Sequence, residues 1–223
     1  MSATVVAIDG PAGVGKSTTS RRVAEVLGIP HIDTGAMYRA MALRAQRAGV
    51  ALDDEARLEA LAEATRIELE GSGAAQRVLL DGEDVTDAIR TPEMSMAASR
   101  VSAVPGVRRV LVGMQQAMGR RAGGVLEGRD IGTKVFPETP HKFFLTATPA
   151  VRAERRRRDL RDRGIDQPLQ TILGEIEQRD RQDSTRADSP LTYDASYTVL
   201  DTSDMTIDEV VDAIVNRVRS RVS

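Results

Sequence analysis

Residues Gly10-Pro11-Ala12-Gly13-Val14-Gly15-Lys16-Ser17 satisfy the pattern G-x-x-x-x-G-K-[ST] in full. The pattern has a physical meaning only between a strand and a helix, and both flanks fit. Ahead of it, Thr4 to Asp9 is a short β-branched run that reads as a buried strand. Behind it, Thr18 to Leu27 reads as a helix, with Val23, Ala24 and Leu27 on one face and Gly28 as a stop signal. Such a loop turns backbone N–H groups inward at a helix N-terminus, where partial positive charge favours an anion. Lys16 can reach the β/γ-phosphates of a nucleoside triphosphate, and the Ser17 hydroxyl can ligate Mg²⁺. Gly10, Pro11, Ala12, Gly13, Val14, Gly15, Lys16, Ser17 and Thr18 are therefore the candidate triphosphate-binding residues.

The rest of the chain alternates strands and helices. Strand candidates lie near residues 4, 30, 125, 143 and 197. Helices are expected at 36–48, 54–65, 92–102, 105–118, 149–163, 169–181 and 207–222. Thr91 can cap the third of these, with Pro92 at its first position. Between them, residues 66–85 alternate apolar and charged positions around Gly71-Ser72-Gly73 and Asp81-Gly82, which reads as a small antiparallel hairpin. The alternation predicts an α/β fold with a parallel five-stranded sheet flanked by helices. Ligands should then bind at the carboxyl ends of the strands. His31 and His141, each beside a proline, are expected at loop or strand-edge positions.

The 223 residues suit one sizeable domain with an insertion, and 41% apolar residues suffice for a core. Aromatics are only 3% and Trp is absent, so Val, Leu, Ile, Ala and Met must build that core. With no Cys there is no disulfide framework and no thiol chemistry. No apolar run approaches membrane-spanning length and no signal pattern opens the chain, so a cytoplasmic protein without membrane contact is expected. A net charge of −2 gives no overall basic field for nucleic acid. Cationic side chains are nearly all Arg; the lysines are Lys16, Lys134 and Lys142. Anion binding outside the loop must rely on guanidinium groups, whose planar fork suits bidentate phosphate contacts.

Several Arg-bearing segments suggest a second anion site. Arg39 follows a Thr-Gly helix start, Arg129 and Asp130 cap an apolar strand at the ligand edge, and Asp183 and Arg186 sit in what reads as a charged turn. Such a site would receive an acceptor carrying its own phosphate. The basic run Arg155 to Arg158 reads as a solvated helix face, a nucleic-acid patch or a lid of arginines over the triphosphate. The lid suits phosphoryl transfer, in which charge spreads over equatorial oxygens and water must be kept out.

Four stretches together resemble the bacterial cytidylate kinase family: Asp9 through Ser17, Asp33-Thr34-Gly35-Ala36-Met37-Tyr38-Arg39, Ile89-Arg90-Thr91, and Gly128-Arg129-Asp130-Ile131-Gly132-Thr133. Phe136-Pro137 and the stretch from Arg179-Asp180 to Arg186 belong to the same resemblance, which runs nearly end to end. It implies ATP- and Mg²⁺-dependent transfer of the γ-phosphoryl group to CMP or dCMP, in line and under an Arg lid. It also implies the P-loop fold of nucleoside monophosphate kinases. The core would be 1–35, 101–148 and 191–223, the monophosphate-binding region with its insert about 36–100, and the lid with its following helix about 149–190. By position, Thr34, Arg39, Arg129 and Arg186 would grip the CMP phosphate, and Ser99, Arg108 and Asp130 would read the cytosine. Asp183, helped by Arg179, would hold the sugar hydroxyl, and Arg155 and Arg156 would lie in the lid. Lys16, Arg129, Asp130, Arg155 and Arg156 are the catalytic candidates, and Ser17 the metal ligand. Thr34 stands where many relatives carry Ser, and Lys16-Ser17-Thr18 where they often carry Lys-Gly-Thr. Both changes keep the hydroxyl groups the reading needs.

Three rivals make different demands. A kinase for UMP, AMP or shikimate would share the phosphate loop and differ in acceptor. A GTPase-like switch would carry N/T-K-x-D, which is absent. A nucleic-acid-stimulated ATPase would use the Arg155 to Arg158 run. No segment reads as a dedicated apolar interface, so a monomer is expected.

Overall fold

The computed structural model describes residues 4–71, 73–162, 164–186 and 188–220. The sequence expectations touching Ser72, Arg163 and Val222 lie outside those residues. In chain order the elements begin β1 (Val5–Asp9), α1 (Lys16–Leu27), β2 (His31–Asp33), α2 (Thr34–Arg47) and α3 (Glu55–Glu63). Then come β3 (Ile67–Glu70), β4 (Arg77–Leu80), β5 (Glu83–Asp84), α4 (Pro92–Val101), α5 (Pro105–Ala122) and β6 (Gly124–Gly128). The chain closes with β7 (His141–Thr146), α6 (Pro149–Arg161), α7 (Leu169–Ser184), β8 (Thr198–Asp201) and α8 (Ile207–Arg219). The main sheet has the order β2-β6-β1-β7-β8, and a second sheet the order β3-β4-β5. The five expected strands are thus the five strands of the main sheet. His31 opens its edge strand, whereas His141 opens β7 inside the sheet, and both are buried.

The chain divides into two compact units: residue 4 with 30–124, and 5–29 with 125–220. The second unit holds the phosphate loop. There β7 lies between β1 and β8 and pairs in parallel with both, Val6 opposite His141 and Phe143 opposite Thr198. Parallel strands need cover on both faces; β1 is apolar from Val5 to Ile8 and buried from Val6 through Asp9. Val6, Ile8, Phe143 and Leu145 pack with Val23 of α1 and with Val210, Ile214 and Val218 of α8. A capping box sets the start of α8: Thr206 Oγ1 accepts from the Glu209 amide at 3.3 Å, and the Glu209 carboxylate accepts from the Thr206 amide at 2.8 Å. Helices α6 and α7 pack on each other through Ala153, Leu160, Ile172 and Ile176.

In the first unit, Met37 and Met41 of α2, Leu58 of α3, Leu111 of α5 and Ile67, Val78 and Leu80 of the small sheet share one core. The hairpin expected over 66–85 is three antiparallel strands, with Ile67 opposite Leu80 and Leu79 opposite Asp84. Asp81 and Gly82 make the two-residue turn between β4 and β5, both with positive φ (52° and 88°). That is the twist a tight hairpin requires, and Asp and Gly are the residues that tolerate it. Helix α4 starts as read: Thr91 caps it, accepting from the Met94 amide at 3.2 Å, with Pro92 following.

Candidate active site

The phosphate loop leaves β1 at Gly10, where a Cβ would sit 2.2 Å from the Leu145 carbonyl oxygen. Only glycine fits that close approach. Helix α1 begins at Lys16, two residues earlier than its pattern suggests, and no side chain caps it. Its first amides therefore face the loop concavity, the arrangement that receives an anion. Lys16 is buried and its Nζ donates to the carbonyls of Gly10 at 2.7 Å and Pro11 at 2.6 Å. Burial, and then the charge of Arg129, push this ammonium well below the ordinary lysine range, while Glu127 pulls it back up.

Ser17 Oγ donates to Glu127 Oε2 at 2.8 Å. Glu127, buried near the end of β6, is a residue that motif reading passed over as part of a charged turn. The available signal was an acid closing an apolar strand at the ligand edge. A hydroxyl and a carboxylate side by side are hard oxygen donors that fit Mg²⁺. Among the described residues no group of three or more His, Cys, Asp or Glu could cage a metal alone.

Beyond β6, Arg129 Nε donates to Asp183 Oδ2 at 2.8 Å, Arg186 donates to Asp183 Oδ1, and Arg179 Nε lies 4.0 Å from Oδ2. Asp183 is not in a turn, as its sequence neighbourhood suggests, but in the last turn of α7 and only 1% exposed. Burial alone would raise its carboxyl. Arg129, Arg186 and Arg179 outweigh burial and hold it below the usual carboxylate range. Asp130 is buried beside Arg129, at the start of a π-helical turn over Ile131–Val135.

In the first unit, Asp33 caps α2, accepting from the Ala36 amide at 2.8 Å, and its other oxygen accepts from Arg39 Nη2 at 3.0 Å. Burial opposes the Asp33 charge, but Arg39 and the Ala36 amide prevail and lower its carboxyl. Thr34 is buried beside it. Arg108, 3% exposed on α5, donates to the Ser102 carbonyl at 3.3 Å and lies 5.9 Å from the Tyr38 ring centroid. Ser102 Oγ in turn donates to the Ser99 carbonyl at 2.9 Å, and Ser99 is buried. Tyr38 and Arg39 are consecutive on α2, so one helix end carries Thr34, Arg39 and the ring against Arg108.

The basic helix α6 is less uniform than its composition. Arg152 is buried and anchored, donating to Asp180 at 3.0 and 2.6 Å, to the Ala12 carbonyl at 3.2 Å and to the Ala147 carbonyl at 3.1 Å. It ties α6, α7 and the phosphate loop together. Arg155 donates to the Thr202 carbonyl at 2.5 Å, to Thr202 Oγ1 at 3.0 Å and to the Val14 carbonyl at 3.4 Å. Burial and Arg158 lower its guanidinium. Arg156 is the next residue on α6 and half-buried.

Cytidylate kinase of Syntrophotalea carbinolica is 49% identical over 217 residues, covering 97% of this chain and 92% of that protein. Cytidylate kinase of Solibacter usitatus is 50% identical over 221 residues, 98% of this chain and 94% of that one. Among solved structures, an uncharacterized protein from Eubacterium ventriosum is similar with a TM-score of 0.52 over 98% of this chain and 99% of that chain. Its identity is 13%, so the likeness is one of fold alone. The family model described as cytidylate kinase matches residues 6–220. By that match and by half identity along nearly its whole length, this chain belongs to the cytidylate kinase family.

Proposed function

We propose that the chain transfers the γ-phosphoryl group of ATP to CMP or dCMP, giving CDP or dCDP and ADP. The observation that carries this reading is the set gathered in the second unit. A phosphate loop with Lys16, the Ser17–Glu127 pair, and two guanidinium groups held on Asp183 are the parts that phosphoryl transfer needs. Family membership supplies the acceptor.

In this reading Gly10 through Thr18 bind the ATP phosphates. An oxygen of the CMP phosphate forms a bond to the γ-phosphorus as the bond from that phosphorus to the β–γ bridging oxygen breaks, and ADP leaves. The protein's contribution is positioning and charge. Lys16 turns from the loop carbonyls to the β/γ-phosphates. Thr34, Arg39, Arg129 and Arg186 take the acceptor phosphate, with Asp33 and Asp183 holding Arg39, Arg129 and Arg186 in place beforehand. A carboxylate has about four acceptor sites, so Asp183 can keep both arginines and still accept from a sugar hydroxyl, with Arg179 beside it. Ser99, Arg108 and Asp130 read the cytosine. A carboxylate accepts from the exocyclic amine of cytosine and would oppose the carbonyl of uracil, a mismatch of ~1–3 kcal/mol. Arg155 and Arg156 close the donor side and exclude water.

Ser17 and Glu127 are the residues that would hold Mg²⁺, which neutralises charge on the β- and γ-phosphates when bound. The reading takes the enzyme as a cytoplasmic monomer. Among the described residues no helix is long and apolar enough to cross a membrane. ³¹P NMR of ATP, CMP and Mg²⁺ with the protein tests the proposal. CDP and ADP signals should grow in step and vanish with Lys16→Ala; ADP growing alone with inorganic phosphate would contradict it.

A further inference from the structure

Asp9 is the last residue of β1 and the neighbour of Gly10, and it is fully buried. Among the described residues its carboxylate makes no ion pair of the kind that usually accompanies such burial. Oδ1 accepts from the Ile131 amide at 2.8 Å; Oδ2 accepts from the Gly132 amide at 2.9 Å and from the Tyr197 hydroxyl at 2.8 Å. Ile131 and Gly132 open the π-helical turn that follows Arg129 and Asp130 directly. The turn closes on the Asp130 carbonyl, which accepts from the amides of Lys134 at 2.9 Å and Val135 at 3.3 Å. Tyr197 reaches this place because residue 132 is glycine: a Cβ there would lie 2.5 Å from the hydroxyl. Ends of three strands are thus joined through one carboxylate: β1 with the phosphate loop, β6 with Arg129 and Asp130, and the approach to β8.

We propose that Asp9 is a positioning residue for the transfer, its ionised carboxylate fixing the turn that carries Arg129 and Asp130 relative to the phosphate loop, with Tyr197 as its third donor. The role rests on the phosphoryl transfer proposed above. The two amides are donors only, and the Tyr197 hydroxyl donates here, so all three contacts to the ionised form are charge-assisted. Protonation removes that charge and weakens all three. Around Asp9 stand Asp130 ahead of the turn, Tyr197 beside β8, Lys142 of β7 with Nζ 5.8 Å from the Tyr197 ring centroid, and Asp194, whose charge acts on Tyr197. Burial pushes the Asp9 carboxyl up to about 6, against the two amides and with Asp130 adding to the rise. The loss of that charge therefore falls in the mildly acid range.

The test is steady-state kinetics of the full chain with ATP and CMP across the acid and neutral range, comparing wild type, Tyr197→Phe and Asp9→Asn. The CMP phosphate itself titrates at about 6, so the readout is the displacement between proteins, which the substrate cannot cause. Tyr197→Phe removes a hydrogen bond to the charged form. The acid limb of kcat should move to higher pH by about one unit, a tenfold loss on the limb. Asp9→Asn turns an N–H toward a donor amide and should lower kcat/KM for CMP at least about tenfold at every pH. At neutral pH the Ile131 and Gly132 amides of the wild type should exchange more slowly than those of Asp9→Asn. Superimposable limbs for wild type and Tyr197→Phe, or equal protection of these amides in wild type and Asp9→Asn, would overturn the role. A wild type that makes no CDP would overturn the transfer reading itself.

Discussion

Arg129 Nε donates to Asp183 Oδ2 at 2.8 Å across 54 residues of sequence, from the end of β6 to the last turn of α7. The same carboxylate holds Arg186. Two cations whose proposed task is to meet a phosphate are thus oriented before any substrate arrives, which lowers the ordering cost of binding. Asp183→Asn keeps the shape and removes the charge. It should raise KM for CMP about tenfold or more while KM for ATP changes less than about threefold. Initial-rate kinetics with each substrate varied check this, and equal effects on both would place Asp183 outside acceptor binding.

Asp183 also sets a pH dependence of stability. Its folded carboxyl lies below the ordinary value, so its contribution is present above the unfolded pKa of about 3.9 and is lost as pH falls through the lower folded value. Asp9 has the opposite sign. Its folded carboxyl is raised from 3.8 to about 6, so the native state binds the extra proton and stability falls as pH rises between those values. The penalty above the window is ~3 kcal/mol. Urea unfolding across that window should show the decline in wild type and a flatter profile in Asp9→Asn. A profile unchanged by the substitution would contradict the assignment.

Ser17 and Glu127 are bonded at 2.8 Å and are the oxygen donors placed for Mg²⁺. Glu127→Gln should lower kcat about a hundredfold and raise the Mg²⁺ concentration needed for half-maximal rate, with KM for CMP little changed. Turnover measured over a Mg²⁺ titration decides; an unaltered metal requirement would remove Glu127 from the site.

Arg152 and Asp180 form a forked pair at 3.0 and 2.6 Å, with Arg152 buried. Asp180→Ala leaves that guanidinium without its counter-charge, a loss of ~3 kcal/mol. In a chain of this size that is a drop in Tm of roughly 6–12 °C, readable by calorimetry. A drop under about 2 °C would show that the Ala12 and Ala147 carbonyls alone hold Arg152 in place.

What was legible in the sequence is what local chemistry determines. The phosphate loop, the Thr91-Pro92 start of α4 and the glycine stop at Gly28 are read from a few adjacent residues, and Gly28 has positive φ. In the small sheet the Asp81-Gly82 turn marks the strand after it, although β5 itself is two exposed acidic residues. Partnerships across the chain carried no local signal at all. Ser17 meets Glu127 across 110 residues and Ile131 meets Asp9 across 122. The π-helical turn follows from that second contact, not from any propensity of Ile131–Val135. Arg152 stands among near-identical arginines, and its partners, Asp180 28 residues on and the Ala12 carbonyl 140 residues back, set it apart as a buried anchor. Asp183 looked like a turn residue because charges crowd around it; those charges are its partners.

The measurement that tests the account most directly is ADP release with ATP and Mg²⁺, offering CMP, dCMP, UMP, AMP, dTMP and shikimate in turn. The account predicts strong, selective turnover with CMP and dCMP, with UMP slower by at least about fivefold, the lower end of one mismatched buried polar contact. Equal or greater turnover with UMP, AMP or shikimate would keep the phosphate loop and contradict the roles given to Ser99, Arg108 and Asp130. ADP release that ignores every acceptor would contradict the central claim.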